Sequence, residues 1–85
     1  MNKIEIYTSP LCIFYHRAKS LLNSKDIEYE EIDVTTQPGK RQEMIERAGA
    51  ISVPQIFVNK QHIGDCEGIY ALDAIGKLDI VLGIS

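Results

Sequence analysis

The chain has 85 residues, a formal net charge of −3, and 45% hydrophobic against 25% charged residues, the balance of an ordinary globular domain. One domain over residues 1–85 is expected, since a chain this short divides no further and buries only roughly 60–65% of its unfolded surface. The small negative charge gives no attraction to nucleic acid or to an anionic membrane surface, and no apolar run approaches the ~20 residues that cross a bilayer.

Met1-Asn2-Lys3-Ile4-Glu5 leads straight into a strand without the apolar core of a secretory signal, so a cytoplasmic location is expected. Ile4-Glu5-Ile6-Tyr7 alternates at the strand period, and Phe14, Ala18, Leu21 and Leu22 then recur at the spacing of one helix face. That predicts a strand followed by a helix from about Ile13 to Lys25, with Thr8-Ser9-Pro10-Leu11-Cys12 between them and Pro10 marking an exposed turn. Cys12 falls where the strand hands over to the helix, beside N–H groups that favour a negatively charged sulfur. Two cysteines are too few for a disulfide framework, and no Cys/His cluster has zinc-ligand spacing. In a reducing compartment a cysteine is kept for packing or for reactivity, and the helix start favours reactivity for Cys12.

A second strand is expected from Ile27 to Val34. Strand, dozen-residue crossover and strand make a βαβ unit with parallel strands. Thr35-Thr36-Gln37-Pro38-Gly39 reads as a turn, and a helix from Lys40 to Ala48 should bury Met44, Ile45 and Ala48 and stop at a left-handed Gly49. Lys40, Arg41, Glu43, Glu46 and Arg47 form its expected solvated face. Strands Gln55–Val58 and Gln61–Ile63 should make a tight hairpin around Asn59-Lys60. Gly64-Asp65-Cys66-Glu67-Gly68 opens a further helix, with Ile69, Leu72 and Ile75 on one side and Gly76 at its end. Leu78, Ile80, Val81 and Leu82 should make a short terminal helix or turn that caps the sheet. The order predicts an α/β fold, a four-stranded mixed sheet with helices on both faces. Pro54 reads either as a strand-start proline or as the site of a cis peptide. Cys66 reads as a packed thiol.

Several segments together resemble the glutaredoxins of the small bacterial kind: Ile6-Tyr7-Thr8 before the cysteine, His16-Arg17-Ala18-Lys19, Lys40-Arg41-Gln42-Glu43-Met44, Val53-Pro54-Gln55-Ile56-Phe57, Gln61-His62-Ile63-Gly64 and Tyr70-Ala71-Leu72-Asp73. The resemblance implies a thioredoxin-like fold, a cis bond before Pro54, a groove for glutathione, and thiol–disulfide exchange as the reaction. Carried over by position, it implies that Cys12 is the nucleophile. Phe14, Tyr15, Val53, Pro54, Cys66, Glu67 and Arg41 would contact glutathione. Phe14 would wall the groove, and the Val53 backbone would pair with the cysteinyl unit. Cys66 N–H and Glu67 would meet the γ-glutamyl carboxylate, and Lys40 or Arg41 would reach the glycine carboxylate.

The chain also departs from that family. The family motif Cys-Pro-Tyr-Cys is here Cys12-Ile13-Phe14-Tyr15, Ser9 stands where a basic residue often precedes the cysteine, and Asp65 and Gly68 alter the usual Gly-Gly-Cys-Asp-Asp turn. Loss of the last aspartate weakens glutathione binding by about 0–1 kcal/mol. Tyr15 forms no disulfide, so the expected activity is one-cysteine reduction of glutathione mixed disulfides, with glutathione as co-substrate. Glutathionylated proteins or small disulfides are then the partners of a monomer, and that route uses no metal. Cys66 would replace the missing thiol only if its Cα lies within roughly 7 Å of that of Cys12. Two other readings stand beside it. In one, Cys12 from each of two subunits and two glutathione thiols hold a [2Fe–2S] cluster, crowded by Ile13 and Tyr15. In the other, the chain is a redox-inactive glutathione-binding module.

Overall fold

Four strands, β1 (Ile4–Thr8), β2 (Glu30–Asp33), β3 (Gln55–Val58) and β4 (Gln61–Gly64), form one mixed sheet in the order β2-β1-β3-β4. The computed structural model describes residues 2–9 and 11–84; Pro10, expected in a turn, lies outside the described residues. β1 runs parallel to β2, with Glu5 opposite Glu30 and Thr8 opposite Asp33. It runs antiparallel to β3, with Ile4 opposite Val58 and Tyr7 opposite Gln55. Helix α1 (Ile13–Ser24) supplies the crossover that parallel neighbours require.

The alternation along each strand sorts the core into two layers. Ile4, Ile6, Ile56 and Val58 face α1, α3 (Cys66–Ala74) and α4 (Leu78–Leu82), and they pack with Ala18, Leu21, Leu22, Ile69, Leu78 and Leu82. Tyr7, Ile32 and Phe57 face the other way, onto Met44 of α2 (Lys40–Ala48), with Ile45 and Ala48 half-buried beside it. Helices therefore cover both faces, as the element order implies. Gly49 ends α2 in the left-handed region at φ 69°, and Asn59 and Lys60 turn the hairpin with φ of 50° and 71°, the two positive values of a type I′ turn.

Four expectations need correction. The buried face of α1 carries Tyr15 rather than Phe14: Tyr15 is 5% exposed and Phe14 52%. With Ala18 and Leu22 buried, the stripe runs back along the helix to position 15 at i, i+3 and i+7 spacing, and residue 14 is turned off it. β2 covers only Glu30–Asp33, because that stretch alone pairs with β1; Ile27 and Tyr29 still pack against the core from outside the strand. Ile75 is exposed, since α3 ends at Ala74 and Ile75 is its C-cap. Arg47 is not on a solvated face. Its guanidinium lies 4.1 Å from the Phe57 ring centroid, and it donates to the Tyr7 hydroxyl at 2.7 Å and to Glu5 Oε1 at 3.4 Å. It thereby covers aromatic surface with its planar cation.

Candidate functional site

The site is assembled at the end of the sheet where β1 delivers the chain to α1. Cys12 is the N-cap of α1 with an extended backbone, φ −92° and ψ 123°. Its N–H donates to Ser9 O at 3.0 Å, and its carbonyl accepts from the His16 N–H at 3.4 Å. These bonds fix the residue at the mouth of the helix. Its side chain makes no capping bond there; the thiol instead donates to the Val53 carbonyl at 3.4 Å. Val53 and Pro54 are joined by a cis peptide, so the second of the two readings of Pro54 holds.

Beside this pair opens a groove of about 280 Å³ lined by Phe14, Ser52, Val53, Pro54, Asp65, Cys66 and Glu67. Its far wall is the start of α3. Asp65 is the N-cap and its Oδ1 accepts from the Gly68 N–H at 2.8 Å, while the Asp65 carbonyl accepts from the Ile69 N–H at 3.0 Å. The N–H groups of Cys66 and Glu67 begin the helix without carbonyls of their own turn to bond, the arrangement that receives anions. Gly64 makes this approach possible. At φ 141° it holds a conformation other residues avoid, and a Cβ there would meet Gly68 Cα at 3.3 Å. Asp65→Ala should cost about 1 kcal/mol of stability, read as a lower denaturation midpoint at an unchanged denaturant slope.

The two thiols differ. Cys12 is half-buried, packed at the edge of the core cluster to which Cys66 belongs. Cys66 is 3% exposed, and burial pushes its thiol above the ordinary value, partly offset by the Arg17 charge. Brief alkylation with iodoacetamide near pH 7 should therefore modify Cys12 and spare Cys66, a difference peptide mapping reads directly.

Of the residues expected along the groove, Phe14, Val53, Pro54, Cys66 and Glu67 line it. Tyr15 does not: its ring is in the core and its hydroxyl donates to Glu31 Oε1 at 2.6 Å. Burial, reinforced by Glu31, raises the phenol above its ordinary value, so the hydroxyl stays a donor. Arg41 stands outside the lining, its Nη1 donating to Ile51 O at 3.3 Å, one residue before the groove's Ser52. Lys40 is paired with Glu43 at 2.9 Å. Asp65, expected as a change in the glutathione turn, lines the groove as well, and its place just before a helical run is an N-cap signal. Ser52 was not expected and carries no such signal. Leu11 and Ile13, 93% and 74% exposed, flank Cys12 with bare apolar side chains.

Among the described residues no group of three or more His, Cys, Asp or Glu side chains is placed to hold a metal ion. With Cys66 buried, each chain offers a cluster one thiolate, and of the two residues expected to crowd it only Ile13 stands at the surface.

Residues 4–63 match the family model for glutaredoxin. The chain is 50% identical over 82 residues to glutaredoxin 3 of Escherichia coli K12, covering 96% of this chain and 99% of that protein. It superposes on a solution structure of glutaredoxin from Brucella melitensis with a TM-score of 0.86 and 45% identity, over 99% of this chain and 91% of the other. A crystal structure of a buckwheat glutaredoxin–glutathione complex shares the fold, with a TM-score of 0.88 at 24% identity, over 96% of this chain and 77% of that one. A match of this extent, joined to a cysteine at the helix mouth and a cis-proline beside it, settles the family: the chain is a glutaredoxin, a thiol–disulfide oxidoreductase.

Proposed function

We propose that the protein reduces glutathione mixed disulfides by a one-thiol route in which glutathione is also the reductant. The observation that carries this is the pairing of Cys12 with the Val53-Pro54 segment while Tyr15, at the position of the family's second cysteine, is buried in the core. The Cys12 thiolate attacks the glutathionyl sulfur of a mixed disulfide. A bond forms between Cys12 Sγ and that sulfur, the old S–S bond breaks, and the departing thiolate takes up a proton. The thiolate of a second glutathione then attacks the same glutathionyl sulfur. Oxidised glutathione leaves and the Cys12 thiolate is restored, so each turnover consumes one free glutathione and releases the substrate thiol and one oxidised glutathione.

The groove fits this use. Once Cys12 has lost its proton, the Val53 carbonyl is released from the thiol and can accept from the cysteinyl N–H of glutathione. Phe14 forms the wall. The N–H groups of Cys66 and Glu67 receive the γ-glutamyl carboxylate, and Arg41, at the rim, is the cation for the glycine carboxylate. The bare side chains of Leu11 and Ile13 favour glutathionylated proteins over small disulfides, because a protein leaving group lies across them. The route needs one chain only, so the protein acts as a monomer, in a compartment such as the cytoplasm where glutathione is kept reduced.

The test is turnover of a glutathionylated peptide with glutathione, measured as oxidised glutathione formed, beside reduction of insulin disulfides. Turnover of the first without the second supports the one-thiol route. Insulin reduction, or a Cys12–Cys66 disulfide found by mass spectrometry after treatment with oxidised glutathione, overturns it in favour of Cys66 as a resolving thiol.

A further inference from the structure

A further cavity lies at the carboxyl ends of the parallel pair β1 and β2. It holds about 200 Å³ and is lined by Thr8, Tyr15, Glu31, Asp33 and Gln37. Crevices at the carboxyl ends of parallel strands are where open α/β sheets bind ligands. The pairing places Thr8 beside Asp33, and strand alternation turns Glu31 and Asp33 to the face that α1 covers, away from that of Ile32.

The lining is rich in acceptors. Glu31 Oε1 takes the Tyr15 hydroxyl at 2.6 Å and Lys19 Nζ at 3.3 Å. Asp33 Oδ1 takes the Thr35 N–H at 2.8 Å and the Thr35 hydroxyl at 2.6 Å. These contacts hold both carboxylates in place, with Lys19 the one cation among them. Gln37 adds an amide. A separate observation points to an unfilled hydrogen-bonding position. Thr8 is 4% exposed, and its Oγ1 is enclosed without a hydrogen-bond partner among the described residues. A buried hydroxyl is rarely left in that state, and this one borders a cavity with two carboxylates.

We propose that this cavity binds a primary ammonium group, with Thr8 Oγ1, Glu31, Asp33 and the Gln37 amide oxygen as acceptors. An alkylammonium offers three donors and one positive charge, which fits two fixed carboxylates against a single lysine. The group arrives either on a free amine or on a lysine of the protein being processed. In the second case the cavity selects substrates with lysine near the glutathionylated cysteine, and the inference then rests on the reaction proposed above.

Two measurements on the full chain separate these sources. The first is titration with putrescine, followed by the backbone amide resonances of Thr8, Glu31 and Gln37. The second is kcat/KM on glutathionylated pentapeptides carrying lysine or norleucine at each position beside the cysteine, with the glutathione mixed disulfide of 2-mercaptoethanol as a neutral control. A free-amine site moves those three resonances saturably in wild type and not in Glu31→Gln. A lysine site gives a preference of about two- to fivefold for lysine over norleucine, lost in Glu31→Gln and reduced in Thr8→Val, with the control disulfide processed equally by all three proteins. Either result supports the proposal. Unmoved resonances together with equal rates on the paired peptides overturn it. If even the control disulfide is not turned over, the proposed reaction fails, and the putrescine titration alone decides the cavity.

Discussion

Cys12→Ser should lower turnover of a glutathionylated peptide to the uncatalysed background, a loss of about a thousandfold or more, without unfolding the protein. Both halves follow from the same geometry. A hydroxyl cannot form the S–S bond on which each step depends, and Cys66, 3% exposed with its thiol pushed up by burial, is the poorer nucleophile. The hydroxyl can still donate to the Val53 carbonyl that the thiol now engages at 3.4 Å. Serine is moreover a preferred N-cap, and Cys12 occupies the N-cap without capping. The variant should therefore be as stable as wild type, or more stable by up to about 1 kcal/mol. Denaturant unfolding beside the rate measurement checks this. Substantial residual turnover would move the chemistry to Cys66, whereas loss of activity together with lost stability would make Cys12 a packing residue.

Tyr15→Cys should have the largest effect on stability together with a change of chemistry. Tyr15 contributes a buried ring, a 2.6 Å bond to Glu31 and a position 5.7 Å from Lys19 Nζ. Cutting the side chain back to one sulfur leaves a cavity in the layer it shares with Ala18 and Leu22. The expected cost is about 2–4 kcal/mol, read as a lower denaturation midpoint. In exchange, position 15 gains a thiol one helical turn from Cys12, able to expel a protein from its mixed disulfide. Insulin reduction is expected in the variant and not in wild type. A variant that is as stable as wild type would contradict the packing described for Tyr15; one that folds yet leaves insulin untouched would mean the two sulfurs do not meet.

Much of the fold was legible in the sequence because local signals and tertiary packing agree. Gly49, Asn59-Lys60 and the strand alternations each specify one backbone state, and the structure adopts it. The errors fall where the sequence carries two consistent patterns. Phe14 and Tyr15 are adjacent aromatics, and either completes a stripe with Ala18 and Leu22. Which one turns inward depends on the angle at which α1 meets the sheet, a tertiary property. Arg47 has the composition of a solvated position, but Tyr7, Glu5 and Phe57, some forty residues or more upstream and ten downstream, recruit it to the sheet. The groove was legible only in pieces. Cys12 announces itself by its place before a helix, whereas its partner Val53 lies 41 residues away and is joined to it by the antiparallel pairing of β1 with β3. The acceptor-lined cavity was not legible at all, since Thr8 and Asp33 become neighbours only through the register of the parallel strands.

The same parallel pair also governs how this sheet meets other sheets. β2 is an outer strand, and it presents Glu30, Glu31 and Asp33 within four residues. Two copies approaching edge to edge through β2 would set these carboxylates against one another. The opposite border, β4, is equally short and carries a register irregularity where it pairs with Ile56 and Phe57. Brevity, like charge and a bulge are the devices by which open sheets resist growing strand upon strand. The strand borders of this small enzyme thus discourage pairing with another sheet, while its reactive end still carries the bare side chains of Leu11 and Ile13.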